Sequence, residues 1–232
     1  MNAKVGAGGT AASVWEADDA PPLRVLLLGA TGAVGGEVLR QALAEARIAQ
    51  IVAPTRRALP TADKLYNPPT DFVDLRADAS WWTVDAAICC LGTTIKAAGS
   101  RPAFAAVDRD LPIQIAGYAR AAGCRSFALN SSLGASLTGA FYLRTKAEVE
   151  NGIRELGFQS LTIVRPSLID AERDHRRSGE RIGILIGRLL QPVIPKRYRP
   201  VTAAAIAQAL LQATLEGQVG ERIIESERLG LA

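Results

Sequence analysis

The sequence predicts an α/β protein: a doubly wound, mostly parallel sheet with a small C-terminal lobe. Three observations carry that prediction. Strand-like and helix-like segments alternate from Arg24 to the end of the chain, the pattern of parallel strands joined by helical crossovers. An apolar strand, Arg24-Val-Leu-Leu-Leu28, runs directly into glycines spaced three apart, Gly29, Gly32 and Gly35. Finally, 232 residues with 48% hydrophobic content suffice for one sizeable core, and no internal repeat or interior linker marks a second unit.

The expected strands cover 24–28, 49–53, 71–75, 86–91, 125–130, 160–165 and 221–225. Helices are expected near 33–46, 110–122, 141–156 and 202–215, with a shorter amphipathic piece near 181–190. Val34, Val38 and Ala42, with Leu39 and Leu43, give the first helix the stripe of one lying on a sheet. Asp110 is placed to cap a helix with Pro112 in its first turn, Gly123 and Gly157 to end helices, and Thr202 to cap the last one. Residues 1–22, rich in Gly, Ala, Asp and Pro, read as a disordered tail preceding a domain over 23–232.

In open α/β sheets, ligands lie beyond the carboxyl ends of the strands. The first such end is the glycine turn, where Gly29 permits the tight bend, Gly32 lets the backbone approach phosphates, and Gly35 lets the next helix pack closely. With Ala30, Thr31, Ala33 and Val34 this segment predicts a dinucleotide pyrophosphate site, the anion held by unpaired N–H groups at the helix N-terminus. At the end of the second strand, Arg56 and Arg57 stand where a carboxylate would bind the ribose 2′-hydroxyl of NAD. Guanidinium groups suit a 2′-phosphate, so NADP(H) is expected over NAD(H). The fourth strand runs into Leu91-Gly-Thr-Thr94, where Gly92 allows close passage and Thr93 and Thr94 can reach ribose or phosphate oxygens, although a capping turn would use the same residues.

The fifth strand ends in Asn130-Ser-Ser-Leu-Gly-Ala135, and the helix after it carries Tyr142 and Lys146. Four residues apart, both side chains point to one helix face. An ammonium about 4 Å from a phenol, at an effective dielectric near 20, is worth roughly 4 kcal/mol, which favours the phenolate and makes the phenol a workable acid or base. A neighbouring serine hydroxyl can stabilise a developing alkoxide.

Composition narrows the alternatives. The net charge of +4 is mild and spread along the chain. A basic set, Arg173, Arg176, Arg177, Arg181, Lys196, Arg197 and Arg199, has no aromatic interleaving, so it reads as a solvated surface and nucleic-acid binding is not expected. The three cysteines, Cys89, Cys90 and Cys124, lack zinc-ligand spacing, and no metal site is expected. They read as buried thiols of a reducing compartment, and the N-terminus does not read as a secretory signal, so a cytoplasmic location is expected. No run approaches the roughly 18 apolar residues of a membrane span. No Gly-x-Ser-x-Gly elbow accompanies the serines, the only histidine, His175, lies in a charged segment, and no Gly-Lys-Ser/Thr follows the glycines. A hydrolase triad and a P-loop are therefore excluded.

Cys89-Cys-Leu-Gly-Thr-Thr-Ile-Lys-Ala-Ala-Gly99, Phe104-Ala-Ala-Val-Asp108, Ser131-Ser-Leu-Gly-Ala135, Tyr142 to Glu148 and Arg165-Pro-Ser-Leu168 together resemble the atypical short-chain dehydrogenase/reductases. More narrowly, they resemble the Tat-interacting-protein-like oxidoreductases and their bacterial relatives, over about residues 23–228. The resemblance implies a Rossmann fold holding NADP(H) at Gly29 to Gly35, Arg56 and Leu91 to Thr94. It also implies a catalytic trio of Ser131 or Ser132, with Ser131 favoured, and Tyr142 and Lys146. Pro166, Ser167 and Leu168, with Pro166 rigidifying the turn, would pass the carboxamide end of the nicotinamide. The expected activity is carbonyl reduction, or the reverse, on a small molecule. A sensor or scaffold that binds NADP(H) without turnover is the competing expectation. The apolar piece 182–190 would cover the substrate side of the cleft, fill core or form a subunit contact, and a homodimer or protein partner stays open.

Overall fold

The computed structural model describes residues 12–15, 21–170 and 195–229. In chain order its elements are β1 (Leu23–Leu28), α1 (Ala33–Ala44), β2 (Ile48–Val52), β3 (Leu65–Tyr66), β4 (Ala86–Cys89), α2 (Ile95–Ala98), α3 (Arg101–Ala105), α4 (Leu111–Ala121), β5 (Ser126–Asn130), α5 (Phe141–Glu155), β6 (Ser160–Arg165), β7 (Ile169–Asp170), β8 (Val201–Thr202), α6 (Ala203–Glu216) and β9 (Gly220–Glu225). Seven strands make one sheet in the order β3-β2-β1-β4-β5-β6-β9, each neighbouring pair parallel. This is the doubly wound Rossmann arrangement, with the order reversing between β1 and β4. There the crossovers leave to opposite faces and open a crevice above the strand ends.

Side-chain alternation explains why helices cover both faces. Val25 and Leu27 of β1 join Val34 and Val38 of α1 and Ile206 and Leu210 of α6 in one apolar cluster. Leu26 and Leu28 point the other way, to Ile115 and Ala119 of α4 and Val149 and Ile153 of α5. A parallel strand buried on both sides needs a continuous apolar run, which β1 has from Val25 to Leu28. β7 and β8 pair in parallel as a separate two-stranded piece after β6, on the carboxyl side of the sheet.

Several expectations are corrected. Residues 71–75 form a loop rather than a strand, and the third strand is the shorter Leu65–Tyr66. The apolar alternation of Phe72, Val73 and Leu75 resembles a strand, but the Asp71 carboxylate accepts from Val73 N at 3.0 Å and folds the chain back. Asp110 caps nothing: its backbone is helical, and α3 and α4 are one rod joined through a π turn at Ala106–Asp110. Within the N-terminal segment, Val14 is buried and Trp15 Nε1 donates to Thr214 O at 2.9 Å. Thr202 does cap α6, its hydroxyl accepting from Ala205 N, and Gly123 and Gly157 end helices at positive φ. The piece 181–190 and the residues Arg173, His175, Arg176, Arg177 and Arg181 lie outside the described residues.

Candidate functional site

The glycine turn is built on close approach. Gly29 has φ +82°, and a Cβ there would meet the Cys90 carbonyl oxygen at 2.6 Å; a Cβ on Gly35 would collide with the Gly29 carbonyl. Neither position admits a side chain, so α1 starts directly above β1. Gly32 is the N-cap and offers no side-chain cap, leaving first-turn N–H groups open to an anion. Thr31, Gly32 and Ala33 are exposed, whereas Ala30 and Val34 are buried, with Val34 in the core and only its backbone near the turn.

Beside this turn a cavity of about 740 Å³ runs from Arg56 and Arg57 past Gly29 and Gly32 to Leu91, Gly92 and Thr93. The arginine loop has a polar anchor beneath it. Thr55 is buried, donates to Arg57 O at 2.6 Å and accepts from Asn67 Nδ2 at 2.8 Å, while Asn67 Oδ1 accepts from Leu59 N. Both arginines are exposed and paired with no carboxylate among the described residues. Thr94 lies outside the cavity lining, and its hydroxyl caps α2 by accepting from Ala97 N at 3.1 Å.

Tyr142 and Lys146 share a face of α5, with the Lys146 ammonium 5.9 Å from the centre of the Tyr142 ring. Phe104 packs its ring 5.8 Å from Tyr142, which keeps 38% exposure at the carboxyl edge. Lys146 is held by a residue that sequence reasoning missed as a site residue. The π turn turns Asp108 inward, where its carboxylate accepts from Lys146 Nζ at 2.8 Å and from Thr93 N at 2.8 Å. Asp108 thereby ties the helix bearing Tyr142 to the loop lining the cavity. A π turn inserts one residue into the helical period, so no 3.6-residue pattern reveals which side chain it buries.

The two serines part company. Ser131 is buried and donates to Glu150 Oε1 at 2.5 Å, and Glu150 is gripped by Arg165 through Nε at 3.0 Å and Nη2 at 2.6 Å. The hydrogen bond to Glu150 raises the pKa of the Arg165 guanidinium further above its ordinary value. Glu150 was also not anticipated as a site neighbour, although Tyr142, Lys146 and Glu150 recur every four residues and so lie on one stripe. Ser132 has only a long contact, 3.4 Å, to Leu133 O. Beyond β6, Ser167 donates to Arg199 O at 2.5 Å and meets Ser226 Oγ at 2.8 Å, a tie between loops, while Pro166 O accepts from Leu133 N and Leu168 is 74% exposed. None of Ser131, Ser132, Tyr142, Lys146, Pro166, Ser167 and Leu168 lines the cavity. The thiols offer no ready nucleophile: burial pushes Cys89 up to about 11 and Cys124 up to about 12.

No protein-family model matches the chain. Protein HTATIP2 of Rattus norvegicus is 36% identical over 162 residues, which span 67% of this chain and 66% of that protein, just under two thirds of its length. The fmp52 protein of Aspergillus niger is 32% identical over 220 residues, 88% of this chain and 92% of the relative. The chain belongs to the HTATIP2/FMP52 family. The resemblance to the Tat-interacting-protein-like proteins is thus borne out. Among solved structures, WbmG of Bordetella bronchiseptica in complex with NAD has the same fold, with a TM-score of 0.65 at 14% identity over 90% of this chain and 74% of that one. These HTATIP2/FMP52 relatives correct the expected cytoplasmic location, because the fungal members are named as mitochondrial proteins. Unpaired thiols report a reducing compartment and do not distinguish one such compartment from another.

Proposed function

We propose that this protein is an NADP(H)-dependent oxidoreductase that reduces a carbonyl compound, or oxidises the corresponding alcohol. The observation that carries the reading is the Asp108–Lys146–Tyr142 arrangement, tied to the cavity through Thr93 N: a buried ammonium, fixed by a carboxylate, next to an accessible phenol. The residues fit the coenzyme. A turn that admits no side chain at Gly29 or Gly35, with open N–H groups above it, suits a diphosphate, and two arginines with no carboxylate partner among the described residues, at the cavity's far end, suit a 2′-phosphate.

When bound, the nicotinamide supplies or accepts the hydride. Gly29 to Gly35 hold the diphosphate, Arg56 and Arg57 the adenosine ribose phosphate, and the Leu91 to Thr93 loop flanks the path between. Lys146 binds the nicotinamide ribose hydroxyls, with Asp108 keeping its ammonium in place. The Tyr142 phenol donates the proton to the carbonyl oxygen in reduction and removes it from the alcohol in oxidation. Because the Ser131 hydroxyl is committed to Glu150, we assign Ser132 to hydrogen-bond the carbonyl oxygen, in place of the Ser131 favoured by the sequence. Pro166 to Leu168 close the nicotinamide end, chiefly through the backbone.

The test is NADPH consumption across a panel of aldehydes and ketones. Wild type is expected to consume NADPH with at least one member, and Tyr142→Phe to lose at least a hundredfold in rate, the scale of general acid catalysis. NADPH binding without consumption would instead make the protein a coenzyme-binding sensor or scaffold.

A further inference from the structure

We infer that Asn130 is a coenzyme-binding residue whose side-chain oxygen is kept for the carboxamide N–H of the nicotinamide. The observation is an orphan: Asn130 Oδ1 is buried and has no hydrogen-bond partner among the described residues. Buried polar atoms are almost always paired, because an unmet acceptor forfeits its hydration for nothing. Asparagine is also poorly suited to a central strand, where a β-branched side chain would pack better. A residue costly on both counts belongs to a site completed by a ligand.

Topology indicates which ligand group. Asn130 ends β5, with Leu129 beside Cys89 of β4 on one side and Asn130 itself beside Val164 of β6 on the other. Cys90 and Leu91, the continuation of that β4 edge, line the cavity that starts at the glycine turn. A diphosphate above β1 leaves β5 two strands away, roughly 10 Å along the carboxyl edge. The next residues are the serine pair, and Val164 leads into the Arg165-Pro166 turn. Asn130 does not itself line that cavity, but its place in the sheet puts it on the redox side of the glycine turn rather than the adenosine side. At its redox end the coenzyme carries one primary amide, whose N–H can meet a buried carbonyl oxygen. The assignment rests on the coenzyme reading above.

The experiment uses the full chain and three probes: NADP⁺, its 3-acetylpyridine analogue, in which a methyl replaces the amide nitrogen, and adenosine 2′,5′-bisphosphate, which lacks the nicotinamide half. Dissociation constants are measured by calorimetric titration for wild type, Asn130→Leu and Asn130→Ala. Wild type is expected to bind NADP⁺ roughly tenfold more tightly than the analogue, the scale of one hydrogen bond to a buried partner. Both variants should bind the two alike and keep the wild-type constant for the bisphosphate. The ligand-free Leu variant should melt no lower than wild type, since it removes an unmet acceptor. Equal binding of NADP⁺ and the analogue by wild type overturns the assignment even if neither variant folds, as does a variant that keeps the preference or loses the bisphosphate equally. Wild type that binds none of the probes overturns the coenzyme reading itself.

Discussion

Replacing Asp108 with alanine should be among the most damaging single substitutions near the site. Its carboxylate is 1% exposed and its partner ammonium on Lys146 7%, at 2.8 Å, so the change leaves a buried, unpaired cation as well as an unmet Thr93 N–H. Removing one member of a buried pair typically costs about 3–5 kcal/mol. For a chain of this size each kcal/mol lowers Tm by about 2–4 °C, so a fall on the order of 10 °C is expected. Calorimetry on Asp108→Ala measures it, with Asp78→Ala as control, because the Arg76–Asp78 pair has the same 2.9 Å scale but is 80% and 71% exposed and should not register. A second arm pairs Asp108→Leu with Lys146→Met, which removes both charges and should recover much of the loss. If Asp108→Ala melts within about 2 °C of wild type, or the double variant is worse than the single, the buried-pair reasoning is wrong.

Other consequences are as specific. Truncating Arg56 and Arg57 to alanine should weaken NADPH binding by roughly ten- to a hundredfold, the range for hydrogen bonds to charged groups, while leaving NADH unchanged; equal losses for both would refute the 2′-phosphate assignment. The thiols predict an alkaline instability. Unfolded cysteine ionises near 9.0, whereas Cys89 holds its proton to about 11 and Cys124 to about 12. Above pH 9 the folded state therefore binds more protons than the unfolded one, so the stability these thiols contribute is complete below pH 9 and is lost as pH rises through 11 to 12. Urea midpoints at pH 8 and pH 10.5 measure this, and Cys124→Ala should flatten the slope; an unchanged slope counts against thiol burial as the cause.

Where local chemistry and tertiary packing demand the same residue, the sequence was sufficient to read the local structure. Gly29 and Gly35 announce the turn because no other residue fits beneath Cys90 and α1, and the strand-helix alternation announces the layers because both sheet faces must be covered. Where a residue's role is set by long-range partners, the sequence was silent. Asp108 looks like an exposed helix acid until the π turn swings it onto Lys146, and Ser131 and Ser132 are indistinguishable until Glu150 claims one hydroxyl. The segment 71–75 shows the converse failure, an alternating pattern whose turn chemistry at Asp71 won. Nor does the sequence show that the Thr94 hydroxyl accepts a helix-capping bond or that the Ser167 hydroxyl ties two loops together.

The central claim is that a phosphorylated dinucleotide lies across the carboxyl edge of the sheet with its diphosphate at the glycine turn. A crystal structure grown with saturating NADPH tests it most directly. Diphosphate density over the first turn of α1, with the nicotinamide between Tyr142 and the end of β5, is the predicted result. Coenzyme bound elsewhere, or a groove that stays closed at saturation, would contradict it.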